Sequence, residues 1–268
     1  MQIRWSSFVS LAILLLLLCG CSGRSSQTTQ PAVPTTKDAS EVSPTQEATP
    51  LPTETPIPFS DDGPWEMNFT TPDDATLYGI LYGQGEIGVI LAPTYPGGVD
   101  GWRPFAEKIA AQGYRVFTFD FRGQGKSEGE RSFTDAATDL EAAITVVREN
   151  VADQVVLIGA GLGGVAAIQV APQNDGVIGL AVISSPRTIE DLEITDDNLS
   201  ALKIPSLWLG TRQDMTQDVE DMYGVAGSSD KQVWIYEGSS LHGTYILDGA
   251  DGPDLEQRLL EFVSQVTP

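Results

Sequence analysis

The stretch VVLIGAGLGGVAAI, Val155 to Ile168, fits two incompatible motifs. Gly159, Gly161 and Gly164 spell G-x-G-x-x-G after an apolar run, which is the pattern of a dinucleotide-binding turn. The same residues fit G-x-S-x-G, a sharp strand-to-helix turn that presents a nucleophilic serine, with Gly161 at the serine position. The first interpretation predicts a cofactor site. The second predicts a catalytic scaffold without its nucleophile.

The elements around this stretch predict an α/β fold. After two initial strands, short apolar runs alternate with segments of helical spacing, which favours an eight-stranded, mostly parallel sheet with helices on both faces. The predicted strands are Trp65–Thr70, Leu77–Tyr82, Ile87–Ala92, Arg115–Phe121, Val155–Ile158, Val177–Ser184, Pro205–Leu209 and Val233–Glu237. The predicted helices are Trp102–Gln112, Phe133–Asn150, Leu162–Val170, Gln217–Tyr223 and Pro253–Val266.

The position of the glycines in this order argues against a cofactor site. A dinucleotide-binding turn usually joins the first strand and helix of its unit, and an acidic residue ends the following strand. Here four predicted strands precede the glycines, and the following strand ends in Ser184-Ser185-Pro186-Arg187. A serine and an arginine there would suit a 2′-phosphate. Dinucleotide binding at Gly159-x-Gly161-x-x-Gly164 therefore remains a minor alternative.

A second motif decides between the interpretations. The run from Asp120 to Ser127 matches D-x-R-G-x-G-x-S, and with the preceding residues from Val89 it resembles the turn and strands of the α/β-hydrolase superfamily. The resemblance extends from Trp65 to Val266 and implies the α/β-hydrolase fold. The family commonly has His-Gly where this chain has Pro93-Thr94. We expect Asp120 to have a structural role, holding backbone N–H groups of the turn.

The resemblance also implies catalytic positions. The family order is nucleophile, acid, histidine, which places the nucleophile at Gly161, the acid at Asp214 and the histidine at His242. His242 is the only histidine of the chain. Asp218 is a second candidate for the acid.

The resemblance further implies an oxyanion hole and a small lid. The N–H groups of Tyr95 and Leu162 would stabilise the oxyanion. Only a short segment separates Ser185 from Pro205, so the chain resembles lidless or small-capped esterases and peptidase-like members. Trp102 is expected in the core or beside the pocket.

The missing serine determines the functional prediction. We expect a domain that is non-catalytic or strongly impaired as a serine hydrolase and that keeps a pocket for a partner or a small acyl- or ester-like ligand. The alternative is an active ester or amide hydrolase in which His242 activates water or a displaced serine attacks. The candidate serines are Ser184, Ser185 and Ser240. No cofactor is expected, and a domain with one histidine and no cysteine offers a metal only carboxylates.

The N-terminal segment predicts export and anchoring. Arg4 precedes an apolar run, Leu11–Leu18, that is too short to span a membrane. After this run, Cys21 is preceded by the small residue Gly20 and resembles the acylated cysteine of bacterial lipoproteins. We therefore predict a signal peptide over 1–20, a disordered Pro/Ser/Thr-rich tether over 21–60 and a hydrolase-like domain over 61–268. The domain would be extracytoplasmic. Lipid that is attached to Cys21 and includes palmitate would anchor it to the bacterial membrane.

The net charge limits the partners. A formal charge of −22 makes nucleic acid an unfavourable partner, because its phosphates repel an acidic surface. No feature of the sequence indicates an oligomeric state.

Overall fold

The computed structural model describes residues 63–150 and 152–268. The predicted signal peptide, acylated Cys21 and tether lie outside the described residues and stay predictions. Within the described ranges, no helix is both long and apolar enough to cross a membrane.

In the part of the chain that the structure describes, eight strands form one sheet, and with all strands numbered along the chain their order across it is β1-β2-β4-β3-β5-β6-β9-β10. The antiparallel pairs involve β2, which lies between β1 and β4, and all other neighbours are parallel. This confirms the predicted eight-stranded, mostly parallel sheet. The strands are β1 Trp65–Thr70, β2 Thr76–Tyr82, β3 Ile87–Ala92, β4 Arg115–Phe119, β5 Gln154–Ala160, β6 Val177–Ile183, β9 Ser206–Thr211 and β10 Lys231–Tyr236.

Burial explains why the central strands are continuous apolar runs. Each central strand contacts helices on both faces, so successive side chains enter two different cores. In β5, Leu157 belongs to one buried cluster and Ile158 to the other. Edge strand β1 instead alternates between partly buried and exposed positions. The helices are α1 Val99–Ala110, α2 Ala136–Asn150, α3 Leu162–Val170, α4 Asp196–Ala201, α5 Thr216–Val225 and α6 Gly252–Val266.

Helix α1 begins at Val99, three residues before the predicted start at Trp102. The carboxylate of Asp120, which follows β4, accepts a hydrogen bond of 2.9 Å from the N–H of Val99. A distant side chain thus satisfies an N–H that a helix leaves free at its first turn, which local sequence patterns do not reveal. Trp102 itself is fully buried in the core.

Asp120 has the structural role expected of it. Its second carboxylate oxygen accepts a hydrogen bond of 2.9 Å from the N–H of Lys126, so one side chain joins the turn after β4 to the start of α1. Burial raises the pKa of Asp120, and the two N–H donors oppose that shift. Gly98 and Gly125 give this carboxylate room, because a Cβ on either would lie within 2.3 Å of a carboxylate oxygen of Asp120.

The segment between β6 and β9 forms a minimal cap. It contains two antiparallel strands of two residues each, β7 Thr188–Ile189 and β8 Leu192–Glu193. The short helix α4 follows them. Thr195 caps α4 by accepting a hydrogen bond from the N–H of Asn198. Sequence analysis expected a short segment between Ser185 and Pro205 but did not include the two short strands.

Candidate active site

Four loops meet at the carboxyl edge of the parallel strands. Because parallel strands all end at the same edge, residues that follow β3, β5, β9 and β10 come close together there. These loops carry Thr94, Gly161, Asp214 and His242 respectively.

Gly161 forms the sharp turn between β5 and α3. Its backbone angles are φ 51° and ψ −116°, a region that side-chain-bearing residues occupy only under strain. The N–H of Gly161 donates a hydrogen bond of 2.9 Å to the carbonyl of Ile183 on β6. Gly159 lets the helix approach the strand, since a Cβ there would lie 2.4 Å from the carbonyl oxygen of Gly163. The turn has the sharp strand-to-helix form expected of a nucleophile elbow, and the assignment of Gly161 to the nucleophile position stays a prediction.

His242 and Asp214 form a hydrogen-bonded pair. Nδ1 of His242 lies 2.9 Å from Oδ2 of Asp214, and their side chains are 30% and 14% exposed. A carboxylate only accepts, so Nδ1 of His242 is the donor in this hydrogen bond. The hydroxyl of Thr211 donates to the carbonyl of Leu241 at 3.0 Å and ties the two loops together. The catalytic roles of both residues stay predictions.

Thr94 is the site residue that sequence analysis missed. A Cβ built on Gly161 would lie 2.4 Å from Oγ1 of Thr94 and 2.9 Å from Nε2 of His242. Real Cβ atoms essentially never approach other atoms that closely, so a side chain at position 161 would require the threonine or the imidazole to move. The departure Pro93-Thr94 from the His-Gly of the resembling family was the available signal, since it adds bulk beside Gly161.

The buried hydroxyl of Thr94 makes no hydrogen bond. Thr94 is fully buried, and its Oγ1 has no partner among the described residues. An unpaired buried hydroxyl is normally unfavourable by about 1–3 kcal/mol. The side chain therefore contributes volume to this site rather than a polar contact.

The expected oxyanion donors lie beside this position. Leu162 is the first residue of α3, where an α-helix leaves its N–H groups without an intrahelical acceptor. Tyr95 follows Thr94, and the carbonyl of Pro93 accepts a hydrogen bond of 3.0 Å from the N–H of Gly163. That bond holds the Tyr95 loop against α3. The oxyanion role of both residues stays a prediction.

The other candidate residues lie apart from the His242 imidazole. Asp218 accepts the N–H of Arg187 at 3.0 Å, so the structure pairs His242 with Asp214 instead. Of the three candidate serines, Ser184 and Ser185 are fully buried and Ser240 is exposed. None of the three is hydrogen-bonded to His242 within the described part of the chain.

Three apolar side chains that are close to the pair in sequence are exposed. Met215, Leu241 and Tyr245 are 40%, 38% and 47% exposed, and they flank Asp214 and His242 in sequence. A hollow of about 440 Å³ lies beside Asp214, lined by Arg212–Asp218 and Glu220. A larger cleft of about 1070 Å³ lies at the opposite edge of the sheet, near the first residues of β3 and β5.

Comparisons with known proteins agree with this architecture. A family model described as serine aminopeptidase, S33, matches residues 99–196, a range that includes Gly161 but neither Asp214 nor His242. The uncharacterized protein YfhR of Escherichia coli O157:H7 is 31% identical over 109 residues. The aligned part makes up 40% of this chain and 35% of that protein.

Solved structures show the fold. The esterase Pf2001 of Pyrococcus furiosus superposes with a TM-score of 0.68 at 19% identity, covering 77% of this chain and 94% of that chain. A monoacylglycerol lipase of Paleococcus ferrophilus gives a TM-score of 0.60 at 17% identity, covering 71% and 99%. The strand order is that of an α/β-hydrolase and differs from the 3-2-1-4-5-6 order of the dinucleotide-binding fold.

Proposed function

We propose that this chain, which has the α/β-hydrolase fold, is a membrane-anchored extracytoplasmic lipoprotein whose domain binds an acyl- or ester-like ligand without hydrolysing it. The observation that carries the proposal is the filled elbow: Gly161 offers no oxygen, and Thr94 and His242 occupy the place of its Cβ. The lipid anchor rests on the Leu11–Leu18 run and on Cys21.

The loss of the hydroxyl removes the first chemical step. In a serine hydrolase the hydroxyl attacks the carbonyl carbon while the imidazole takes its proton. Removing that residue from a complete triad costs on the order of 10⁶-fold in turnover. His242 and Asp214 remain hydrogen-bonded to each other. Among the described residues, however, no hydroxyl that a substrate could reach is hydrogen-bonded to the imidazole.

Exposed apolar side chains support a binding role. Met215 lines the hollow next to Asp214, and the exposed Leu241 directly precedes His242 in the chain. Burial of such surface by an acyl chain is favourable by about 25 cal/mol per Å². Two of the similar structures, described as an esterase and a monoacylglycerol lipase, favour the same ligand class.

A second candidate function rests on the intact His242–Asp214 hydrogen bond. An imidazole that is partly exposed and oriented by a carboxylate has the arrangement of a general base for water. This would make the domain a slow hydrolase without a covalent intermediate.

Hydrolysis and binding measured on the same full-length chain separate these candidates. We expect p-nitrophenyl acetate to be hydrolysed equally fast by wild type and by His242→Ala, because no step uses the imidazole. We expect calorimetry to show saturable binding of octyl acetate that Leu241→Asp weakens about tenfold, as a lost apolar contact would.

The matched control is Trp234→Ser, which removes an equally exposed apolar side chain from edge strand β10. It should leave octyl acetate binding unchanged. A wild-type rate about 100-fold or more above that of His242→Ala would establish the second candidate instead. Equal binding by Leu241→Asp and wild type would contradict the proposed binding surface.

A further inference from the structure

Thr94 lies between two glycines of the candidate site. A Cβ on Gly161 would lie 2.4 Å from Oγ1 of Thr94, and a Cβ on Gly243 would lie 2.9 Å from both Cβ and Oγ1 of Thr94. Both glycines have positive φ, 51° and 56°. The threonine side chain therefore occupies the space between the elbow and the loop of His242.

We propose that Thr94 is a plug that locks this site in its non-catalytic form, so that two residues, Gly161 and Thr94, must be exchanged together to restore a covalent nucleophile. The inference rests on the proposed function and adds to it a role for Thr94. It replaces the simpler view that Gly161 leaves an open vacancy.

The contacts of Thr94 are those of a plug. Its hydroxyl has no hydrogen-bond partner among the described residues, which includes the neighbouring His242 imidazole. A hydroxyl nucleophile requires a base within hydrogen-bond reach and access to substrate, and Thr94 is fully buried. A serine at position 161 would meet Oγ1 of Thr94 first, so the hydroxyl acts here by its bulk and not as a nucleophile.

A fluorophosphonate would detect a restored serine nucleophile by forming a covalent adduct with it. With room for a serine at position 161, its Oγ attacks the phosphorus of a fluorophosphonate and an O–P bond forms. The P–F bond breaks and fluoride leaves, while Nε2 of His242 takes the hydroxyl proton. The product is a mass adduct on the peptide that contains residue 161.

The experiment compares three variants of the full-length chain: Gly161→Ser, Gly161→Ser with Thr94→Gly, and Gly161→Ser with Thr94→Val. Valine has nearly the volume of threonine and carries a methyl group in place of the hydroxyl, so Thr94→Val is the matched control. We expect the Thr94→Gly double variant to be labelled about 100-fold faster than the other two, the effect of a misplaced reacting group. We also expect its thermal midpoint to exceed that of Gly161→Ser by about 3 °C.

Each other outcome is decisive. Labelling of Gly161→Ser at the rate of the double variant would overturn the plug, and so would a folded double variant that is not labelled. Fast labelling of the valine variant would show that volume at position 94 is no barrier, which also overturns it. If Gly161→Ser alone fails to fold while the double variant folds, the clash is supported. Labelling of the unmodified chain would instead defeat the proposed function.

Discussion

Replacing Gly161 by alanine is expected to lower the free energy of unfolding by about 3 kcal/mol. The backbone at φ 51° and ψ −116° is unfavourable for any residue with a Cβ by about 1–3 kcal/mol. The new methyl group would also meet Oγ1 of Thr94 at 2.4 Å, and overpacking of a closed core typically costs about 1–3 kcal/mol. Denaturant unfolding of the full-length chain measures the sum.

The control for this variant is Gly224→Ala. Gly224 lies in α5, where a Cβ would have no neighbour within 4 Å. Alanine is better suited to a helix than glycine by about 0.5–1 kcal/mol, so this variant should be as stable as wild type or slightly more stable. A Gly161→Ala variant as stable as this control would show that the elbow is neither strained nor filled.

The second large effect is expected at Arg122, which follows β4. Its N–H and Nε donate to the carboxylate of Asp139 at 2.9 and 2.8 Å, and its other guanidinium nitrogens reach Asp73 and Asp135. The side chains of Arg122 and Asp139 are 8% and 0% exposed. Arg122→Met leaves the Asp139 carboxylate buried without its cation, and we expect a loss of about 3–5 kcal/mol.

The pH dependence of this loss has a definite sign. Burial raises the pKa of Asp139 above its ordinary value of 3.8, and the hydrogen bonds from Arg122 oppose that shift. Arg122→Met removes the guanidinium and leaves only the backbone N–H of residue 122 to oppose the shift, so the folded protein binds a proton more readily than the unfolded chain. The deficit relative to wild type should therefore shrink as the pH falls through the raised pKa towards 3.8.

Two variants control the Arg122 prediction. Arg103→Met breaks an exposed pair with Asp100 and should change stability by less than about 1 kcal/mol. Adding Asp139→Leu to Arg122→Met removes the stranded charge and should recover most of the loss. A deficit that is independent of pH and unaffected by Asp139→Leu would contradict this account.

The fold could be predicted because its signals are local. Apolar runs such as Ile87–Ala92 and the turn from Asp120 to Ser127 are contiguous in sequence, and the comparisons confirm the architecture that they predict. The boundary of α1 could not be placed, because the group that satisfies Val99 comes from Asp120. The strands β7 and β8 have two residues each, too few to show any periodicity.

The candidate site was predictable only in part, for the same reason. Gly161, Asp214 and His242 each stand after a strand whose apolar run is visible in the sequence. The plug is a contact between Thr94 and Gly161, which belong to different loops, and neither residue alone indicates it. The choice of Asp214 over Asp218 likewise depends on which carboxylate the fold brings to the imidazole.

The central claim is that the unmodified chain forms no covalent intermediate at its elbow. The most direct test is the intact mass of the full-length wild-type protein after prolonged exposure to excess fluorophosphonate, with an active serine hydrolase treated in parallel. The account predicts complete labelling of the active enzyme and an unchanged mass for this chain. A stoichiometric adduct on this chain, at Thr94 or at any serine, would contradict it, and peptide mapping would name the nucleophile.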